Sequence, residues 1–207
     1  MRRFLEYLGY AALAAVLLIA GGAYAFYRSL LPAELPARPT TRVPPLVRGA
    51  LRLALGKDNK KEVARLHMDH LEERRVLPRE TIMRWRMRVL ALEGWLAIHF
   101  SADEVVDAYA ERVPVGDDRV GLAAGAQALF GKPLHRLAPH EVAVLTGVAS
   151  RTGGLDPACR PEEARERRDA FLHYMARARL VAADALAAQQ AMPVRVLVPC
   201  REPGPAQ

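Results

Sequence analysis

The stretch GLAAGAQALFGKPLHRLAPHEVAVLTGVASRTGGLDP, Gly121 to Pro157, decides how this chain is read. Its small residues predict a helix from Leu122 to Phe130, with Gly131 placed as a C-terminal cap. Pro139 opens a second helix, with Glu141 in its first turn where a carboxylate complements the helix dipole. Gly153-Gly154 and Asp156-Pro157 then break the pattern. The stretch holds no nucleophile beside a base, no paired cysteines and no phosphate loop. Its punctuation is sharp, yet it carries no evident chemistry.

Reading outward, apolar residues recur at helical spacing almost everywhere, so the expected class is mainly α. Downstream, Pro161-Glu162-Glu163 opens a helix reaching Arg179, and Ala182 to Met192 reads as the last one. VRVLV (194–198) has the composition of a short strand, and REPGPAQ (201–207) reads as a frayed tail. Upstream, Ser101-Ala102-Asp103-Glu104 has the form of a capping box, and Phe100 and Val105 stand where a hydrophobic staple puts them. Before it, Arg79 to His99 reads as a long helix with Ile82, Val89, Leu92, Trp95 and Leu96 as core. Lys61 to Arg75 reads as a charged helix. Its His67, His70 and Glu73 lack the H-E-x-x-H spacing of a metal site, so a solvated face and no metal are expected. Leu46 to Leu55 reads as a short amphipathic helix with Arg48 and Arg52 on one side, either a membrane-surface segment or a surface helix with a solvated basic face.

The N-terminus differs in kind. Leu8 to Tyr27 carries no charge for 20 residues, about the length a helix needs to cross a hydrocarbon core of roughly 30 Å. Arg2 and Arg3 precede it, and Tyr24, Phe26 and Tyr27 populate its far end as an interfacial belt would. Ala23-Tyr24-Ala25 also fits a cleavage site, so a signal peptide is the rival to an uncleaved anchor. Five prolines between Pro32 and Pro45 predict a semi-rigid spacer. The expected organisation is a cytoplasmic segment 1–7, a transmembrane anchor 8–27, a Pro-rich linker 28–45, a helical domain 46–195 and a tail 196–207. The bulk of the chain is then periplasmic or extracellular, on a single-pass anchor in the inner membrane. The net charge of +7 points to anionic lipids or wall polymers as partners. No nucleic-acid motif is present. The two cysteines, Cys159 and Cys200, both lie in the exported part, where a disulfide between them persists. Free thiols or an intermolecular bond are the alternatives.

The order of features resembles glycosyltransferase family 51, the transglycosylase domain of penicillin-binding proteins. The correspondence runs through Tyr109-Ala110-Glu111, Gly121, Phe130-Gly131-Lys132, Leu137-Ala138-Pro139-His140-Glu141, Leu145-Thr146-Gly147, Leu155-Asp156-Pro157 and Arg167-Arg168 through Met175. It covers about residues 80–195. It implies a lysozyme-like, all-α domain acting on lipid II, with a carboxylate as base and cations, with a divalent metal in active members, at the departing pyrophosphate. Where the family carries its two glutamates, this chain has positions near Leu55 and Val89. Glu93, one turn beyond Val89, is the weak substitute, and Arg84, Arg86 and Arg88 are the candidate substrate-binding cations. The expected function is that of a non-catalytic relative that binds lipid II, nascent glycan or a penicillin-binding partner at the membrane, with no cofactor assigned. The alternatives are an active transglycosylase and a membrane-tethered helical adaptor.

Overall fold

The structure is a computed structural model, and it describes residues 2–56, 59–74, 81–116, 119–149 and 156–200. Among these the chain forms nine α-helices and two short 3-10 turns. The elements are α1 (Arg2–Leu30), α2 (Pro45–Leu55), α3 (Asn59–Glu73), α4 (Ile82–His99), α5 (Ala102–Arg112), α6 (Leu122–Phe130), α7 (Pro139–Ala149), α8 (Pro161–Arg177) and α9 (Leu186–Ala191). The only pairing of extended backbone among them is an isolated antiparallel bridge, Pro114 to Val120.

Helix starts follow the sequence closely. Ser101 and Glu104 complete the reciprocal capping box of α5: Ser101 Oγ accepts from the Glu104 N–H and Glu104 accepts from the Ser101 N–H. Phe100 and Val105 are both buried, as the staple requires. Thr81 caps α4, accepting from the Arg84 N–H. Gly131 ends α6 in the left-handed region at φ 65°. The Asp156-Pro157 break is an Asx turn, in which Asp156 Oδ1 accepts from the N–H groups of Ala158 and Cys159. Gly153, Gly154 and Leu155 lie outside the described residues.

One core joins α2 to α8. Val47 and Leu51 of α2 pack with Val63 and Met68 of α3, Leu92 and Leu96 of α4, Val105 and Val106 of α5, Leu145 of α7, and Leu172 and Met175 of α8. All these side chains are buried. Arg168 on α8 is fully buried. Its guanidinium donates to the Gln190 carbonyl at 2.7 Å, to the Met192 carbonyl and to Asp169 Oδ1, so it fixes the end of α9 against α8. Cys159 and Cys200 form a disulfide, with Cα atoms 4.6 Å apart. The tail crosses α6 on its way, where the Leu197 N–H donates to the Leu129 carbonyl.

Four expectations are corrected. The Pro-rich segment is not a free spacer. It is strapped along the domain: Thr40 and Thr41 donate through both backbone and hydroxyl groups to Glu111 Oε1, Val43 N–H donates to Asp107, and Arg112 donates to the Ala37 carbonyl. Proline removes the segment's own donors and helical options, which leaves its remaining polar groups to be satisfied by the domain. The basic side of α2 is not left to solvent or lipid alone: Arg48 is drawn inward onto Asp107 at 3.0 and 3.1 Å, and Arg52, still about half exposed, pairs with Asp103. Ile82 is not core but 71% exposed, because it sits in the first turn of α4 beyond the reach of the neighbouring helices. Residues 194–198 form no strand, having only one backbone bond to a helix end available to them.

Helix α1 is long and apolar enough from Gly9 to Leu30 to cross a membrane; residues 9–26 are exposed, while Tyr27 and Leu30 at its end pack on the core.

Candidate functional site

The family-like motifs turn out to be joints of the scaffold. Tyr109 is buried on α5, and its hydroxyl donates to the Ala149 carbonyl at 2.8 Å, tying α5 to the last turn of α7. Gly121 has φ 93°, and a Cβ there would lie 3.0 Å from the Glu111 carbonyl oxygen. Only glycine lets the chain turn back so close to the end of α5. Lys132, just past the α6 cap, reaches Glu141 at 2.7 Å. The other Glu141 oxygen accepts from the Ala138 N–H, which closes the start of α7. Glu141 is buried, so Lys132 also neutralises a carboxylate held out of water.

The two positions assigned to catalytic acids sit in apolar surroundings. Val89 is buried at 5% exposure on α4, and Leu55 is half-buried at the end of α2, packed on the same core. Neither offers a proton acceptor. Glu93 is half-buried one turn along α4. The candidate arginines do not form one cluster. Arg84 and Arg86 are exposed, whereas Arg88 turns inward and donates through Nη1 to the Leu30 carbonyl at 3.3 Å.

A cleft of about 690 Å³ opens elsewhere, between α3 and the turn that follows α5. His67, Asp69, His70 and Glu73 line one wall, and Arg112 and Arg119 the other. Glu93, Arg84, Arg86 and Arg88 do not line it. His67 is buried, against the solvated face expected for it, and its Nε2 contacts the Glu34 carbonyl of the strap at 2.8 Å. Burial holds its pKa below the ordinary value, although the Glu34 carbonyl pulls the other way. Burial likewise lowers Arg112, opposed by Glu111. Among the described residues no three His, Cys, Asp or Glu side chains converge as a metal site. Sequence reading singled out His67, His70 and Glu73 but missed Asp69, Arg112 and Arg119. Asp69 lies one turn before Glu73 on the same face, a signal present in the spacing. The two arginines reach the cleft only through the tertiary fold.

The chain matches the family model described as Transglycosylase over residues 67–176, a little over half its length. It is 32% identical over 89 residues to penicillin-binding protein 1A of Streptococcus oralis, covering 41% of this chain and 14% of that protein. It is 33% identical over 104 residues to penicillin-binding protein 1A of Mycobacterium tuberculosis, covering 50% of this chain and 13% of that protein. The chain thus corresponds to only about a seventh of these relatives' length. The crystal structure of penicillin-binding protein 1A from Haemophilus influenzae aligns with 50% of this chain and 16% of its own, at 25% identity and a TM-score of 0.42. The matched span takes in Tyr109, Gly121, Gly131, the Lys132–Glu141 pair and Arg168, and the chain belongs to the transglycosylase family.

Proposed function

We propose that this chain is a membrane-anchored, non-catalytic relative of the peptidoglycan transglycosylases, serving glycan synthesis by binding the lipid-linked wall precursor or a penicillin-binding partner. The observation that carries the reading is Val89: a buried aliphatic side chain at the position where the resemblance puts a carboxylate. Proton removal from a sugar hydroxyl needs a base within hydrogen-bond reach, and a valine in the core cannot be one. Leu55 repeats the substitution at the other acid position. The scaffold joints are kept while both acids are absent, which is the pattern of a retained fold with a changed task.

The span Gly9–Leu30 supports a single-pass anchor, with the helical bulk of the chain on the outer face of the inner membrane. The cleft beside α3 supports a polar ligand, because it sets arginines opposite carboxylates and imidazoles. The test is equilibrium binding of lipid II to the full chain in lipid nanodiscs. Saturable binding without product supports the reading. No binding, with capture of a wall synthase instead, supports the partner arm. Neither would reduce the chain to a tethered helical adaptor.

A further inference from the structure

Helix α4 carries an apolar face that no other element among the described residues covers. Met83 is 63% exposed, Leu90 68% and Ile98 78%. Gly94 and Ala97 are exposed between them. At about 100° per residue these positions share one side of the helix. The opposite side, through Val89, Leu92 and Leu96, is buried in the core. Soluble surfaces scatter single apolar residues, but a continuous helical stripe of this kind marks a contact.

The position of α4 identifies the contact. The window Gly9–Leu30 has 22 residues, so it rises about 33 Å as a helix and ends where the hydrocarbon gives way to headgroups. Leu30 is the last residue of that window and of α1. Its carbonyl accepts from Arg88 Nη1 at 3.3 Å, and Arg88 is at the middle of α4. The middle of α4 is thereby held at headgroup depth. Exposed Arg28, two residues before Leu30, and exposed Arg86, two residues before Arg88, place cations beside this joint. A basic margin next to an apolar stripe is the pattern of a helix lying in an anionic membrane interface.

We propose that α4 is an interfacial helix: Met83, Leu90, Ala97 and Ile98 sit in the outer leaflet beside the exit of α1, and Arg28 and Arg86 meet anionic headgroups. The inference rests on α1 being the membrane span. It gives the domain a second, lateral contact with the bilayer and fixes its orientation.

The test uses the full chain in vesicles of phosphatidylcholine and phosphatidylglycerol. Single variants Leu90→Cys, Ile98→Cys and Val16→Cys are labelled with an environment-sensitive maleimide fluorophore; the native cysteines are closed in their disulfide. Quenching is read from shallow and deep nitroxide lipids and from aqueous iodide. Labels at Leu90 and Ile98 are expected to lose about half their emission to the shallow nitroxide, as suits burial of about 5–10 Å, and little to iodide. The label at Val16 is expected to respond to the deep nitroxide. Strong iodide quenching at Leu90 and Ile98 with Val16 still in the bilayer overturns the interfacial helix and leaves the anchor standing. Protection of Leu90 and Ile98 from both quenchers also overturns it, and assigns the face to a protein partner or a second copy. Failure of the deep nitroxide at Val16 overturns the anchor itself.

Discussion

Glu111 holds Thr41 by two bonds to one oxygen: the Thr41 N–H at 2.8 Å and the Thr41 hydroxyl at 2.9 Å both reach Oε1. Thr40 repeats the arrangement on the same atom. A single carboxylate oxygen therefore gathers four of the bonds that hold the segment between α1 and α2 to the domain. Glu111→Ala is expected to cost about 1–2 kcal/mol, since hydrogen bonds to a charged acceptor are worth more than neutral ones but this one is partly exposed. Thermal unfolding of the full chain in detergent, with amide exchange at Thr40 and Thr41, measures it. The two amides should exchange faster in the variant.

The same strap is pH-sensitive. Burial raises the Glu111 pKa, but the four Thr40 and Thr41 donors outweigh it and hold the group below its ordinary 4.5. A depressed carboxyl stabilises fully above 4.5 and loses that contribution as pH falls through the lower folded value. His67 acts at higher pH. Its pKa is held below 6.5 by burial, so the folded state resists a proton the unfolded chain accepts. Stability is full above 6.5 and falls as pH drops below it. Protection of the strap amides, corrected for the intrinsic exchange rate at each pH, should fall in two stages on acidification, and His67→Gln should remove the first.

Arg48 and Asp107 join α2 to α5, with the Asp107 side chain only 5% exposed. Arg48→Ala leaves that carboxylate buried, with the Val43 N–H still donating to it. The expected loss is about 3–5 kcal/mol, the largest of the polar substitutions considered. Denaturant titration checks it. Lys132→Ala, whose side chain is 45% exposed in its pair with Glu141, should cost about 1 kcal/mol by comparison.

Gly121→Ala and Gly131→Ala are expected to differ. Both glycines have positive φ, but a Cβ at Gly121 meets the Glu111 backbone oxygen at 3.0 Å, whereas one at Gly131 meets the end of the Leu197 side chain. A side-chain terminus yields and backbone does not. Gly131→Ala should cost about 1 kcal/mol and Gly121→Ala about 2–3 kcal/mol, read by the same titration.

Reduction of Cys159–Cys200, separated by 41 residues, should destabilise the chain by up to about 4 kcal/mol on the chain-entropy account. The tail should detach first, seen as faster exchange of the Leu197 amide, which donates to the Leu129 carbonyl.

Much of the scaffold was legible in the sequence because its signals are local. The Ser101–Glu104 box, the Gly131 cap and the Pro139 helix start depend on residues three or four apart, and each formed as read. What was not legible depends on long-range partners. Arg48 and Arg52 read as a solvated or lipid-facing stripe because Asp103 and Asp107, over fifty residues away, give no local sign of meeting them. Five prolines read as a spacer because nothing in their composition names Glu111 as their clasp. Arg84 and Arg88 read as one cationic face, with Arg86 pointing away, because helical spacing alone does not show that Arg88 turns to the end of α1. The cleft's Arg112 and Arg119 come from either side of a chain reversal and acquire meaning only once α3 is set opposite them.

Incubation of the purified full chain with lipid II in nanodiscs or detergent, beside an active transglycosylase and with divalent cation present, tests the central claim most directly. On the proposed reading, in which Val89 and Leu55 take the positions that the resemblance gives to the two glutamates, the chain is expected to yield no glycan polymer while its relative does. Glycan chains formed by this protein, and abolished by Glu93→Gln, would contradict the account and make Glu93 the base.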